Sequence, residues 1–408
     1  MSERLVVVDG LRTPFCKAGS DLASLGADEL GRIAVSALLT RTGLDPQLID
    51  EVIIGCVGQP AEAANVARVI ALRAGVPESV PAMTVHRNCA SGFEAFTTAY
   101  ERMAAGRGSI YIVGGAESMS RVPMLFRDAA ARKFASLSRA KSPSRKIAAL
   151  TSFRLGDFEP RLGLKLGLTD PVCGLNMGET AELLARENGI TREAQDAFAI
   201  ESHRKAVEAE ARLAEEITPV YLAGKPIAKD NGPRTDQTMA VLGSLRPIFD
   251  KYGGVTAGNS SQITDGAVAL LVMTEKRAAE LGFQPLGALV GYAYAGCDPA
   301  RMGLGPVFAI EQAEKRYGLK CADADIVEIN EAFAAQVLTV LQKLDGQIPV
   351  EKLNVNGGAI ALGHPVGATG ARLILTSLKE LARRNARRAL VSLCVGGGQG
   401  GAIWLERI

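Results

Sequence analysis

The sequence predicts an α/β protein made of two similar halves, and three observations carry that prediction. Short apolar runs alternate with amphipathic stretches of 3.6-residue period at both ends of the chain. The composition is 47% hydrophobic and 22% charged with 44 glycines, which suits a packed α/β enzyme rather than a fibrous or disordered chain. At 408 residues the chain also exceeds the ~250–300 residues at which one hydrophobic core stops growing, so more than one domain is expected.

In the first stretch the predicted strands are RLVVVDG from Arg4, EVIIGCVG from Glu51, AMTVHRNC from Ala82 and SIYIVGGAES from Ser109. Helical periodicity falls between them, in LGRIAVSALLTRTG and ANVARVIALRAGV. The second stretch repeats the order. Its predicted strands are LGALVGYAYAG, DADIVEIN, KLNVNGG and RALVSLCVGGGQGGAIWLE, with AIEQAEKRYGL, FAAQVLTVLQKL and GATGARLILTSLKELARR as helices. A strand ending in a reactive-looking turn and then a helix occurs near Cys89 and again near His364, as a duplication would give. The expected division is 1–120 with 253–276 as one half, 277–408 as the other, and 121–252 as an inserted loop domain.

That middle region has few strand signals, and residues 121–165 hold 11 Lys or Arg against 3 Asp or Glu. The whole chain carries only +2, so this excess of eight is local. It could hold phosphates, dock a partner or an anionic membrane surface, or be a solvated face. Further on, GETAELLARENGITREAQDAFAIESHRKAVEAEARLAEEI predicts two helices, the second capped by Thr191. The near balance of charge gives no argument for nucleic acid. Seven scattered cysteines without a CxxC pair fit a reducing compartment, and the six-residue apolar span Leu5 to Gly10 is too short for a signal or membrane segment, so a cytoplasmic protein is expected.

Candidate chemistry gathers in glycine-rich turns. Cys89, in TVHRNCASGFEAF, precedes a helix whose N-terminal N–H groups should favour the thiolate and lower its pKa from ~8.5. A buried cysteine acting as a small apolar residue fits the same segment. His364 lies in NVNGGAIALGHPVGATGAR, among five glycines, where an imidazole can take a proton from a thiol or donate to an oxyanion. Cys394 opens CVGGGQGGA at the end of a strand, beside exposed backbone suited to a ligand. Asn330, in EINEAFAAQ, can hold a water or carbonyl oxygen, or simply cap a helix. His86 reads as structural and His203 as a solvated helix residue. No residues have metal-ligand spacing, and GGGQGG lacks the Lys-Ser/Thr of a phosphate loop, so neither a metal nor a nucleoside triphosphate is expected.

Taken together, NCASG around Cys89, NEAFA at 330–334, GHPVGATGAR at 363–372 and CVGGGQGG at 394–401 resemble the signature blocks of the thiolase family in order and spacing. MGETAE at 177–182, VTAGNSSQITDGA at 255–267 and DPARMGLGP at 298–306 extend the resemblance over nearly the whole chain. It implies a duplicated five-layer α-β-α-β-α sandwich with the loop domain covering CoA. It also implies that Cys89 carries the acyl group, His364 activates it, and Cys394 moves the proton at the acetyl-CoA carbon. One oxyanion hole would combine His364 with a water on Asn330, the other the N–H groups of Cys89 and Gly396. Ser261 and Met177 would lie along pantetheine and Arg234 near the nucleotide of CoA.

The implied reaction is CoA-dependent cleavage of 3-ketoacyl-CoA or its reverse, with CoA and acyl-CoA as substrates, no cofactor, and a homodimer or homotetramer as the assembly. Asn176 departs from short-chain members, which carry His before the Met of that block. The segment RKIAALTSFRLGDFEP resembles thiolase subunits of fatty-acid β-oxidation complexes, which would make the basic loop a multienzyme contact. A 3-ketoacyl-ACP synthase would pair its cysteine with two histidines, whereas this chain offers His364 and then Cys394. A lipid or acyl-CoA carrier of the same fold would have lost a catalytic group.

Overall fold

The computed structural model describes residues 3–408. Its main sheet contains β1 (Leu5–Arg12), β2 (Glu51–Gly55), β3 (Ala82–Val85), β4 (Ile110–Ser118) and β5 (Thr264–Thr274) from one half. The other half supplies β6 (Gly287–Gly296), β7 (Ile326–Ile329), β8 (Arg388–Val395) and β9 (Gln399–Glu406). The spatial order is β7-β8-β9-β6-β1-β5-β4-β2-β3, with Cys16–Lys17 paired on β5 as an extra short strand.

Duplication shows in the pairing pattern. In one half β3, β2 and β4 are parallel, and β4, β5 and β1 are antiparallel. In the other β7 and β8 are parallel, and β8, β9 and β6 are antiparallel. Two residue pairs between β1 and β6, Val6 with Ala288 and Val7 with Gly287, join the half-sheets into one.

Helices cover every face. α1 (Ala27–Thr42) and α2 (Val66–Arg73) pack on the outer face of the first half, α8 (Gly305–Tyr317) and α9 (Ala334–Lys343) on the outer face of the second. Between the half-sheets lie α3 (Ser91–Ala104) and α10 (Val366–Arg384), which gives the expected five layers. At Gly92 an added Cβ would stand 2.7 Å from the backbone nitrogen of Ala371, so α3 and α10 cross with their backbones nearly touching. That contact brings the turn before α3 and the turn before α10 to one place.

β5 is absent from the predicted strands although it is central. All eleven of its residues are buried. Ala267, Ala269, Leu271 and Met273 face α1 and α2, while Val268, Leu270 and Val272 face the central helices. With both faces covered there is no polar alternation to announce a strand, only an apolar run. KLNVNGG, expected as a strand, is instead a turn with single bridges, Val327 with Leu353 and Val355 with Gly357. The first bridge sits beside β7 where β3 sits beside β2, so it is the remnant of the equivalent strand. The C-terminal run is two strands, turned by Gly397 and Gly398 at positive φ.

Within 121–252 the chain forms α4 (Asp128–Arg139), α5 (Pro143–Thr151), α6 (Met177–Asn188) and α7 (Arg192–Glu208) with two very short antiparallel strand pairs. Thr191 caps α7 as predicted, accepting from the N–H of Ala194, but the helical run then breaks into a separate turn at Glu210–Ala214. Buried Arg12 ties this region to β1 through Glu216 and Asp230. Removing one partner of such a buried pair costs about 3–5 kcal/mol. Among the described residues no helix is long and apolar enough to cross a membrane.

Candidate active site

Cys89 follows β3 in a turn held by its neighbours. Asn88 has φ 44°, a left-handed conformation that asparagine tolerates better than most residues. Its side-chain amide donates to the carbonyl of Gly396 at 2.7 Å, fixing the turn between β8 and β9 against the cysteine. The Ser91 hydroxyl accepts from the N–H of Arg87 at 2.9 Å and donates to the Asn88 carbonyl at 2.7 Å.

The expected lowering of the Cys89 pKa is not what the geometry gives. Burial pushes the thiol up, and the Glu117 carboxylate adds to that; the N–H groups of Gly396 and of Cys89 itself oppose it with smaller effect. α3 begins two residues beyond the cysteine, at Ser91, so its terminus is offset from the sulfur. The resting group is a thiol, and a base is required.

His364 lines the same cavity as Cys89. It follows Gly363, whose φ of 98° and close approach to the Thr264 side chain exclude other residues. The His364 N–H donates to Thr264 Oγ1 at 3.1 Å. Thr369 Oγ1 lies 2.6 Å from His364 Nδ1 and donates its one hydrogen to the Pro365 carbonyl at 3.0 Å. Thr369 must therefore accept from Nδ1–H, which leaves Nε2 unprotonated and an acceptor. Asn330 Nδ2 is 3.5 Å from Nε2 and can donate to it. Burial, reinforced by the Arg372 charge, lowers the His364 pKa to about 4, so the imidazole is neutral at pH 7.

Cys394 is the penultimate residue of β8, buried in an apolar cluster with Met302, Ala332 and Met177. Burial and the neighbouring Cys89 sulfur raise its pKa well above the ordinary thiol range. Asn330 is fully buried, its N–H donates to the Ser392 carbonyl at 2.9 Å, and its Oδ1 has no partner among the described residues. A buried amide oxygen left unpaired is costly, which makes it a site for a donor entering with substrate or solvent.

A cavity of about 520 Å³ joins these groups: Cys89, His364, Cys394, Gly396, Ser261 and Met177 all line it. Asn330 stands behind His364. Arg234 does not line the cavity; its side chain is exposed. His86 is exposed outside it. His203, read as solvated, is buried at 4% exposure because residues 232–236 cover α7 there, and it accepts from the N–H of Arg234 at 3.2 Å. Burial, with the Arg234 charge, lowers its pKa to about 4.

Between about pH 6.5 and 4 the unfolded chain protonates this imidazole and the folded chain does not. Relative to a His203→Gln variant, the protein should lose about 1.4 kcal/mol of stability per unit as pH falls through that window. Urea unfolding across the window measures it, and parallel curves for the two proteins would refute it.

Four residues at the site went unnoticed in the sequence. Asn88 and Thr369 lie within the blocks already described, but their roles depend on φ and on a hydrogen-bond direction. Arg372 pairs with Glu328 at 3.1 Å beneath the site. Glu117 lines the cavity and accepts from the N–H groups of Val57, Gly58 and Gly367, clamping both halves. Its place in VGGAESMS gives no local hint of that.

A duplicated α/β scaffold with a thiol, a neutral imidazole and a second thiol on one cavity carries the groups that a thioester-forming acyltransferase would need. Residues 5–276 match the family model for the thiolase N-terminal domain and residues 283–407 that for the C-terminal domain, so the chain belongs to the thiolase family. It is 42% identical to the acetyl-CoA acetyltransferase of Thiocystis violacea, with 100% of both chains covered. It is 40% identical to the 3-ketoacyl-CoA thiolase of Serratia proteamaculans over 99% of this chain and 97% of that one. The Bacillus anthracis acetyl-CoA acetyltransferase structure superposes with a TM-score of 0.91 at 37% identity, covering 100% and 99% of the two chains. Human mitochondrial 3-ketoacyl-CoA thiolase in complex with CoA gives 0.90 at 36%, covering 100% and 98%. The chain is an acyltransferase of the thiolase reaction, Claisen cleavage or condensation through a cysteine and CoA.

Proposed function

We propose that the chain cleaves 3-ketoacyl-CoA with tails longer than acetoacetyl, with Cys89 as nucleophile. Neutral His364 takes the Cys89 proton on Nε2, and the thiolate attacks the 3-keto carbon. The new oxyanion is met by the N–H groups of Cys89 and Gly396; one such donor contributes about 3 kcal/mol. Collapse breaks the C2–C3 bond. The electron pair leaves as the acetyl-CoA enolate, its oxygen faced by protonated His364 and Asn330, and Cys394 gives its proton to C2. The thiol of a second CoA then attacks the acyl-Cys89 thioester, giving its proton to Cys394; the Cys89–acyl C–S bond breaks, the Cys89 thiolate takes back the proton held on His364 Nε2, and the shortened acyl-CoA departs.

The observation that carries this reading is the convergence of Cys89, His364 and Cys394 on one cavity. Val57, Val122, Leu164 and Phe333 also line it, which supports a tail beyond four carbons and a place in β-oxidation. Ser261 and Met177 are proposed as pantetheine contacts. The half-exposed edge strand β3, paired only with β2, supports a homo-oligomer built through that edge.

The test is CoA-dependent turnover on a series from acetoacetyl-CoA to 3-ketopalmitoyl-CoA, with product identification. The expected result is acetyl-CoA plus an acyl-CoA two carbons shorter, with kcat/KM rising above the acetoacetyl value. Turnover confined to acetoacetyl-CoA would overturn the chain-length reading, and no turnover on any member would favour a carrier.

A further inference from the structure

Residues 121–166 form a hairpin that packs largely on itself. α4 buries only Ala130 and α5 buries nothing. The rings of Phe126, Phe134 and Phe153 follow one another at centroid distances of 5.0 and 4.8 Å, and Phe158 closes the stack at 5.6 Å from Phe153, with Phe126 and Phe158 half exposed at its ends. Outside, the hairpin is unusually apolar. Among the described residues, nine of the 22 exposed large apolar side chains fall in this segment, Leu155 at 94%, Met124 at 70% and Ile147 at 62% among them. Monomer surfaces rarely concentrate apolar groups in this way without a partner.

The same segment carries the charge excess. Arg121, Arg127 and Lys133 have carboxylate partners. The other eight cations, Arg132, Arg139, Lys141, Arg145, Lys146, Arg154, Arg161 and Lys165, are exposed and form no ion pair among the described residues. On α5, Arg145 and Lys146 adjoin exposed Ile147 and Leu150.

We infer that this hairpin is a docking surface for an anionic lipid bilayer. Basic side chains flanking exposed apolar ones are what an interfacial helix pair needs, the cations meeting headgroup phosphates while the apolar tips enter the acyl boundary. Charge favours lipid over a folded protein as the occupant. A protein partner would have to present carboxylates at fixed positions for eight dispersed cations, three of them lysines, a residue that protein interfaces deplete. Fluid headgroups rearrange to meet each one. The hairpin also adjoins the cavity, since Val122, Leu164 and Leu166 line it. On the proposed acyl-CoA reading, the mouth would open beside the phase into which such amphiphiles partition, but the docking itself does not require that reading.

The experiment is co-sedimentation of the full chain with phosphatidylcholine vesicles, with and without a share of phosphatidylglycerol. Wild type should partition at least tenfold more strongly onto the anionic vesicles, less so as salt rises. The variant Arg139→Gln, Lys141→Gln, Arg145→Gln, Lys146→Gln should lose tenfold or more and the lipid preference with it. The variant Ile147→Ser, Leu150→Ser, Leu155→Ser should bind more weakly while keeping its salt dependence. Thermal unfolding and acetoacetyl-CoA turnover check that both variants fold, and failure of turnover in wild type would leave the vesicle result standing by itself. Equal binding to neutral vesicles, or binding that neither variant weakens, would overturn the inference. Absence of wild-type binding, with loss of a co-purifying protein in the charge variant, would overturn it in favour of a protein partner.

Discussion

Cys89→Ala should lower kcat by roughly four to six orders of magnitude, the range seen when a nucleophile that acts as a unit with its base is removed. No acyl adduct should then form at residue 89 when the protein is mixed with acyl-CoA and examined by mass spectrometry. The size follows from the proposed chemistry: without sulfur there is nothing to hold the acyl group after the C2–C3 bond breaks. Binding should survive, because the substitution leaves the cavity walls and the Gly396 turn in place. A variant that retained even a hundredth of wild-type turnover would rule out the covalent route.

His364→Ala should cost roughly 10²–10⁴ in kcat/KM, the span of general-base contributions. Because burial raises the Cys89 pKa, alkylation of that thiol by iodoacetamide should also slow in the variant, and should rise about tenfold per pH unit through neutrality. In wild type, activity lost on protonating the imidazole should disappear only as pH falls through about 4. The acid limb of kcat/KM therefore lies well below the ordinary histidine value of ~6.5. An inflection near that ordinary value would show that His364 is not held neutral by its surroundings. Cys89→Ala combined with His364→Ala should be little worse than Cys89→Ala alone, since the two act in one step.

The turns that line the cavity were legible in the sequence because glycine marks places where backbone must turn sharply or approach closely, and Cys89, His364 and Cys394 each sit in such a place. What the side chains do there was less legible. The direction of the Cys89 pKa depends on desolvation by residues far along the chain, and local reading saw only the helix that follows. His203 was misplaced for a related reason. α7 has a polar sequence, so its covered side is set by the segment folded over it and not by its own periodicity. β5 escaped because a strand buried on both faces shows no alternation, and KLNVNGG misled because it keeps a strand's composition after its pairing has dwindled to single bridges. Arg234, assigned by resemblance alone, is exposed and outside the lining of the cavity.

The pairing of β1 has a consequence for how the chain is made. Its ladder partners are β5 and β6, which begin at Thr264 and Gly287. During synthesis at ~5–20 residues per second, the apolar run Leu5 to Val8 leaves the ribosome roughly tens of seconds before either strand exists. For that interval it is an apolar segment without its pairing partners. The Cys89 turn shares the dependence, since α10, whose backbone packs against α3 at Gly92, is made later than β5. Nascent chains released before about residue 274 should therefore be chaperone clients rather than small, partly active enzymes.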